Sequence, residues 1–108
     1  MKEVLRLDPS GPSLFPRVAP KGGLNLNGLY IPEGTAVSAV SWVINRNKEV
    51  YGEDAEEFRP ERWMKSEERA RELDNYSFTF GYGARVCLGK NLGLMELNKA
   101  VVQVRIGG

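Results

Sequence analysis

The single cysteine of this chain, Cys87, lies in the run Phe80-Gly81-Tyr82-Gly83-Ala84-Arg85-Val86-Cys87-Leu88-Gly89, in a sequence with no histidine. It follows a glycine-rich loop, stands two residues after an arginine and opens a segment with helical periodicity. Exposed N–H groups at a helix start, and the positive end of the helix dipole, favour a thiolate there. A thiolate is a soft metal ligand and a nucleophile. A lone cysteine taken alone reads as a small buried hydrophobe. These neighbours give it a chemical setting instead.

The spacing Phe-x-x-Gly-x-Arg-x-Cys-x-Gly resembles the haem-binding loop of the cytochrome P-450 family, the haem-thiolate monooxygenases, and Phe80, Gly83, Arg85, Cys87 and Gly89 match it position by position. The resemblance implies that Cys87 is the axial ligand of haem iron (haem b, iron protoporphyrin IX). Each position has a physical reason. A thiolate pushes electron density through the iron and favours O–O cleavage. Backbone N–H groups after the ligand would tune the sulfur. Glycines let the backbone pass close under a flat macrocycle. Phe80 would shield the sulfur, and Arg85 offers a forked donor to a haem propionate.

Two further segments belong to the same resemblance. Glu3 and Arg6 stand in Glu-x-x-Arg spacing, which puts both side chains on one face of a helix. Arg62 lies in Phe58-Arg59-Pro60-Glu61-Arg62-Trp63. Alone, these charges read as a solvated helix face and a solvated loop. By resemblance Glu3, Arg6 and Arg62 form the family's buried Glu–Arg–Arg network, a scaffold beneath the haem rather than a catalytic group. Arg17 stands where many family members place a propionate-binding arginine, and it reads equally as an ordinary exposed cation. Residues 12–15, just before it, would by resemblance face the distal pocket and touch substrate. The match covers nearly the whole chain, and details such as Lys90-Asn91-Leu92-Gly93 look most like fungal members of the pisatin-demethylase and benzoate-hydroxylase type.

The elements that must position these residues read as follows. Residues 1–7 form a helix, stopped by Asp8-Pro9 and Ser10-Gly11-Pro12. Residues 12–20 are proline-rich and extended, and residues 24–31 read as a strand. Pro32-Glu33-Gly34 reads as the turn of a hairpin whose second strand lies in residues 35–43. Asn45 is placed to cap a short helix over residues 46–51; residues 52–63 are acidic and irregular; residues 65–73 form a charged, exposed helix. From Leu88 towards Val104, the positions Leu88, Leu92, Met95 and Val102 mark a helical stripe, supported by Leu94, Leu97 and Val101. The class is mainly α with a small β portion. By resemblance it is the C-terminal, proximal haem side of the cytochrome P-450 fold, with residues 1–108 a partial domain.

Composition narrows the function classes. The chain has 108 residues, a net charge of +1, 42% hydrophobic and 27% charged residues, which suits one globular piece at most. Near-zero charge gives no electrostatic argument for nucleic acid or an acidic membrane surface. One cysteine cannot form an internal disulfide, so the chain reads as intracellular. With one cysteine and no histidine a structural zinc site is nearly excluded, whereas haem needs one strong ligand. No apolar run approaches the roughly 20 residues of a membrane span.

The resemblance implies a parent enzyme that inserts one atom of dioxygen into a small organic substrate and reduces the other to water. Its electrons would come from a separate reductase. An N-terminal anchor outside this chain would hold it at the endoplasmic reticulum, and that anchor is its one implied route to a membrane. The central helix that carries the family's acid–threonine pair has no counterpart here, nor does its C-terminal β portion. The expectation is therefore a truncated product or partial gene with Met1 internal to the parent, an open apolar face, weak haem binding and no turnover of its own. A non-catalytic fragment is the runner-up. A redox-sensing thiol would need a resolving cysteine, which is absent. The Gly81-Tyr82-Gly83 pair lacks the third spaced glycine of a dinucleotide loop.

Overall fold

The computed structural model describes residues 1–12 and 15–106. Ser13 and Leu14, within the segment expected to face substrate, and the terminal Gly107-Gly108 lie outside the described residues. The first helix, α1 (Lys2–Leu7), buries Glu3 and Arg6 rather than an apolar stripe. It ends where the chain turns out at Asp8, whose N–H donates to the Val4 carbonyl at 2.7 Å. The following Pro9 cannot continue the ladder.

Four short strands follow. β1 (Arg17–Val18) pairs antiparallel with β4 (Ala36–Val37), with Arg17 opposite Val37 and Val18 opposite Ala36. Between them, β2 (Leu24–Leu26) and β3 (Leu29–Ile31) form their own hairpin, with Leu24 opposite Ile31 and Leu26 opposite Leu29. This corrects the strand expected over residues 24–31, which folds back on itself at Asn27-Gly28. Asn27 has φ +50° and Gly28 φ +86°. Asn-Gly is the pair that reaches two positive φ values most readily, and such a turn matches the twist of paired strands. The Asn25 side chain accepts from the Gly28 N–H at 2.8 Å and tightens the bend. Pro32-Glu33-Gly34 does make a turn, with the Thr35 N–H on the Pro32 carbonyl at 3.2 Å. That turn closes the β1–β4 ribbon instead of the expected hairpin.

The end of the stretch expected to be strand is helical. α2 (Ser41–Ile44) is a single turn, and α3 (Lys48–Tyr51) follows at once. The cap of α3 is Asn47, whose side chain accepts from the Glu49 N–H at 2.9 Å. Asn45, expected to cap that helix, instead terminates α2 and is fully buried. A 3-10 turn over Pro60–Trp63 and α4 (Glu67–Tyr76) complete this half. Ser66 caps α4 by accepting from the Arg69 N–H.

The apolar core is small. Tyr51, Ala55 and Leu73 are buried, with Val50 and Trp63 packed against them. Beside it lies a polar core of Glu3, Arg6, Ser41, Asn45 and Arg62. The Tyr51 ring joins the two, since the Arg6 guanidinium carbon lies 4.8 Å from its centroid. A second 3-10 turn (Gly83–Arg85) leads into α5 (Lys90–Ile106), about 25 Å long at 1.5 Å per residue. Its stripe of Leu92, Met95, Val101 and Val102 is exposed, and Leu88 before it is fully so. No described element is long and apolar enough to cross a membrane.

Candidate functional site

Cys87 is exposed and free, three residues before α5. Its backbone N–H donates to the Phe80 carbonyl at 2.8 Å, which closes the loop between them. Inside that loop the Gly81 N–H reaches the Phe78 carbonyl at 3.1 Å and the Val86 N–H the Gly83 carbonyl at 3.1 Å. Two glycines make the path possible. Gly81 has φ +74° and Gly83 φ +62°, conformations costly for any residue with a Cβ. Gly89 stands beside the sulfur: a Cβ there would make an ordinary 3.9 Å contact with Cys87 Sγ. Phe80 is half-buried, with the Lys90 ammonium 5.7 Å from its ring centroid, and Arg85 is exposed at the end of its 3-10 turn. Among the described residues the Leu88 and Gly89 N–H groups donate to no backbone oxygen.

Glu3, Arg6 and Arg62 come together from α1 and the 3-10 turn at Pro60–Trp63. Arg6 grips Glu3 with two donors, Nη2 to Oε1 at 2.7 Å and Nε to Oε2 at 2.9 Å. Arg62 Nε donates to Oε1 at 2.9 Å, and so does the Arg59 backbone N–H at 3.0 Å. The remaining guanidinium donors go mainly to carbonyls. Arg6 Nη1 reaches the Asn45 oxygen at 2.7 Å and the Ala55 oxygen at 2.6 Å, and Arg62 Nη1 reaches the Tyr51 oxygen at 2.6 Å. A buried charge persists only when its donors and acceptors are satisfied in this way. Burial alone would push the Glu3 carboxyl up. The Arg6 guanidinium, the Arg59 N–H, the Trp63 indole and Arg62 outweigh it and hold the group at about 2, against an ordinary 4.5.

Several members of this network were not singled out in the sequence. The Trp63 indole N–H donates to Glu3 Oε2 at 2.8 Å. Asp54 ion-pairs with Arg59 and accepts from Arg62 Nη1 at 3.2 Å. Asn45 and Thr79 join α1 to the segment that enters the cysteine loop. Trp63 lies inside a quoted motif segment and Thr79 borders the cysteine loop, while Asn45 reads in the sequence as a helix cap. Arg17 stands apart: it is exposed, and its Nη1 donates to the Phe15 and Pro16 carbonyls at 3.1 and 3.0 Å.

An exposed thiol, turn amides beside it that donate to no backbone oxygen among the described residues, glycines in the loop and an exposed arginine side chain fit a haem group held through the sulfur. No cluster of three or more His, Cys, Asp or Glu side chains able to hold a metal ion occurs among the described residues.

A sequence model described as cytochrome P-450 matches residues 1–104. The chain belongs to the cytochrome P-450 family. It is 55% identical over 94 residues to the cytochrome P-450 monooxygenase ustC of Aspergillus flavus, a match covering 85% of this chain and 23% of that protein. It is 44% identical over 104 residues to the pisatin demethylase of Fusarium vanettenii, covering 96% of this chain and 20% of that protein. A third relative, the cytochrome P-450 monooxygenase pkfB of Emericella nidulans, is 46% identical over 99 residues, with 92% and 20% covered. The chain thus spans about a fifth of the length of the curated relatives it matches. As a P-450 segment its helical class with a few short strands follows, and the fungal character read from the cysteine loop agrees with these relatives.

Proposed function

We propose that this chain is the proximal haem side of a haem-thiolate monooxygenase, with Cys87 as the axial ligand. The single observation that supports it most is the setting of Cys87: an exposed thiol on a glycine-shaped loop, hydrogen-bonded back to Phe80 and continuous with the Glu3–Arg6–Arg62 network. In this reading haem b, when bound, supplies the cleavage of dioxygen that a thiolate ligand promotes. Phe80 excludes water from the sulfur. The Leu88 and Gly89 N–H groups stand next in the chain to hydrogen-bond the thiolate and stabilise its charge. Arg85 holds a propionate by its guanidinium fork, and Arg17 is the candidate for a second such contact.

The parent enzyme would oxygenate a small organic molecule with electrons from a separate reductase, inside the cell at the endoplasmic reticulum. The 108 residues on their own are expected to bind haem weakly and to show no turnover, because the apolar stripe of α5 is left in water. Haem titration followed by reduction under carbon monoxide tests the assignment. The full parent protein should give the strongly red-shifted thiolate band, and Cys87→Ser should abolish it. Unchanged haem binding and band position in Cys87→Ser would remove Cys87 as ligand.

A further inference from the structure

Asn45 has no part in the sequence motif, yet it is the fully buried side chain between the ion network and the cysteine loop. Its backbone carbonyl accepts from Arg6 Nη1 at 2.7 Å. Its Oδ1 accepts from the Phe78 N–H at 2.8 Å, and its Nδ2 donates to Thr79 Oγ1 at 3.1 Å. Thr79 Oγ1 donates to the Leu5 carbonyl at 3.0 Å, which leaves it to accept from Ser77 Oγ at 3.2 Å. Phe78 then receives the Gly81 N–H, and Phe80 receives the Cys87 N–H. A continuous set of hydrogen bonds therefore runs from the Glu3 carboxylate through Arg6, Asn45 and Phe78 into the loop that carries the thiol.

We infer that Asn45 is a positioning residue: its amide fixes the segment entering the Cys87 loop against α1, and so sets where the thiol stands relative to the Glu3–Arg6 pair. The inference rests on the reading of Cys87 as haem ligand for its functional meaning, though not for its geometry. The amide chemistry is specific. The Phe78 N–H needs an acceptor, and the Thr79 hydroxyl oxygen, whose proton goes to Leu5 and which also accepts from Ser77, takes a second donor. One side chain that supplies both at that length is Asn. A buried polar group meeting both demands rigidifies its neighbours, whereas losing it leaves a buried N–H without a partner.

Amide hydrogen exchange on the intact protein tests this, with Leu73→Ala as a control that weakens the apolar core without touching the clamp. In Asn45→Ala the Phe78 and Cys87 amides should exchange on the order of tenfold faster than in Leu73→Ala. The α4 amides should quicken no more than in the control. Asn45→Asp, which keeps the acceptor, should leave the Phe78 amide slow. In the haem-loaded parent, Asn45→Ala should also move the reduced carbon monoxide spectrum away from the thiolate form, and Leu73→Ala should not. Phe78 exchange unchanged in Asn45→Ala, or quickened only in step with every other amide, would overturn the inference. Cys87→Ser separates the two readings: it removes the thiolate spectrum while leaving the Phe78 amide protected. A haem spectrum that survives Cys87→Ser defeats the ligand assignment, and the exchange result still decides Asn45.

Discussion

Trp63 donates its indole N–H to the Glu3 carboxylate at 2.8 Å, across 60 residues of chain. Oε2 also holds Arg6 Nε, while Oε1 takes Arg6 Nη2, Arg62 Nε and the Arg59 N–H. One carboxylate thus organises α1 and the 3-10 turn at Pro60–Trp63, and the apolar core beside it is too small to do so alone. Replacing Trp63 with Phe keeps a ring against the small apolar core but loses a hydrogen bond to a charged group. We expect a destabilisation of about 2 kcal/mol, read as a lowered urea midpoint. A midpoint equal to that of the unmodified chain would show the indole N–H to be dispensable.

Removing a guanidinium should cost more. Arg6 is fully buried, and Arg6→Ala leaves Glu3 charged, Asn45 and Ala55 with idle carbonyls and a void against Tyr51. The expected loss is about 3–5 kcal/mol, measured by denaturant unfolding. Glu3→Gln combined with Arg6→Ala should cost less than the two single substitutions added together, because each single already breaks the paired Glu3–Arg6 contact. A double variant as unstable as the sum of the singles would show that the pair is not coupled.

Acid unfolding should report Glu3. Its carboxyl sits at about 2 in the folded chain and 4.5 is its ordinary value, so the folded state binds fewer protons than the unfolded one between those limits. The stability it contributes is full above about 4.5 and is lost as pH falls towards about 2. In Glu3→Gln the chain starts less stable, and the loss across that window should shrink. A pH dependence identical in both chains would place the acid sensitivity elsewhere.

The loop glycines carry a conformational demand that can be tested without haem. Gly81 has φ +74°, and a Cβ there would lie 3.4 Å from the Arg85 carbonyl oxygen. Gly81→Ala should cost roughly 1–2 kcal/mol of local stability, seen as faster exchange of the Gly81 and Val86 amides. In the parent protein it should also weaken haem retention. Exchange unchanged at both amides would mean that the loop has another path open to it.

The cysteine loop, the Glu-x-x-Arg pair and the long terminal helix were all legible in the sequence. Each is a local pattern: residue types at fixed spacing, or a period of 3.6. The hairpin was misplaced because two turn signals compete, Asn27-Gly28 and Pro32-Glu33-Gly34. Both make turns, and only strand pairing decides that the first closes β2 on β3 while the second closes β1 on β4. Asn45 was read as a helix cap from its type and place, since Asn favours such positions. Its buried amide instead meets Phe78 and Thr79, more than 30 residues away in sequence.

The sequence by itself determined the residues of the cysteine loop and the family to which the chain belongs, because those depend on residue types at fixed positions along the chain. The burial of Glu3, Arg6 and Arg62, implied in the sequence only by the family resemblance, has its physical reason in the tertiary structure. Glu3, Arg6 and Arg62 look like surface residues in a sequence, and they become a core only when α1 and the 3-10 turn at Pro60–Trp63 bring five donors onto one carboxylate. The cost of desolvating an ion is set by what surrounds it in space, and local spacing carries no record of that.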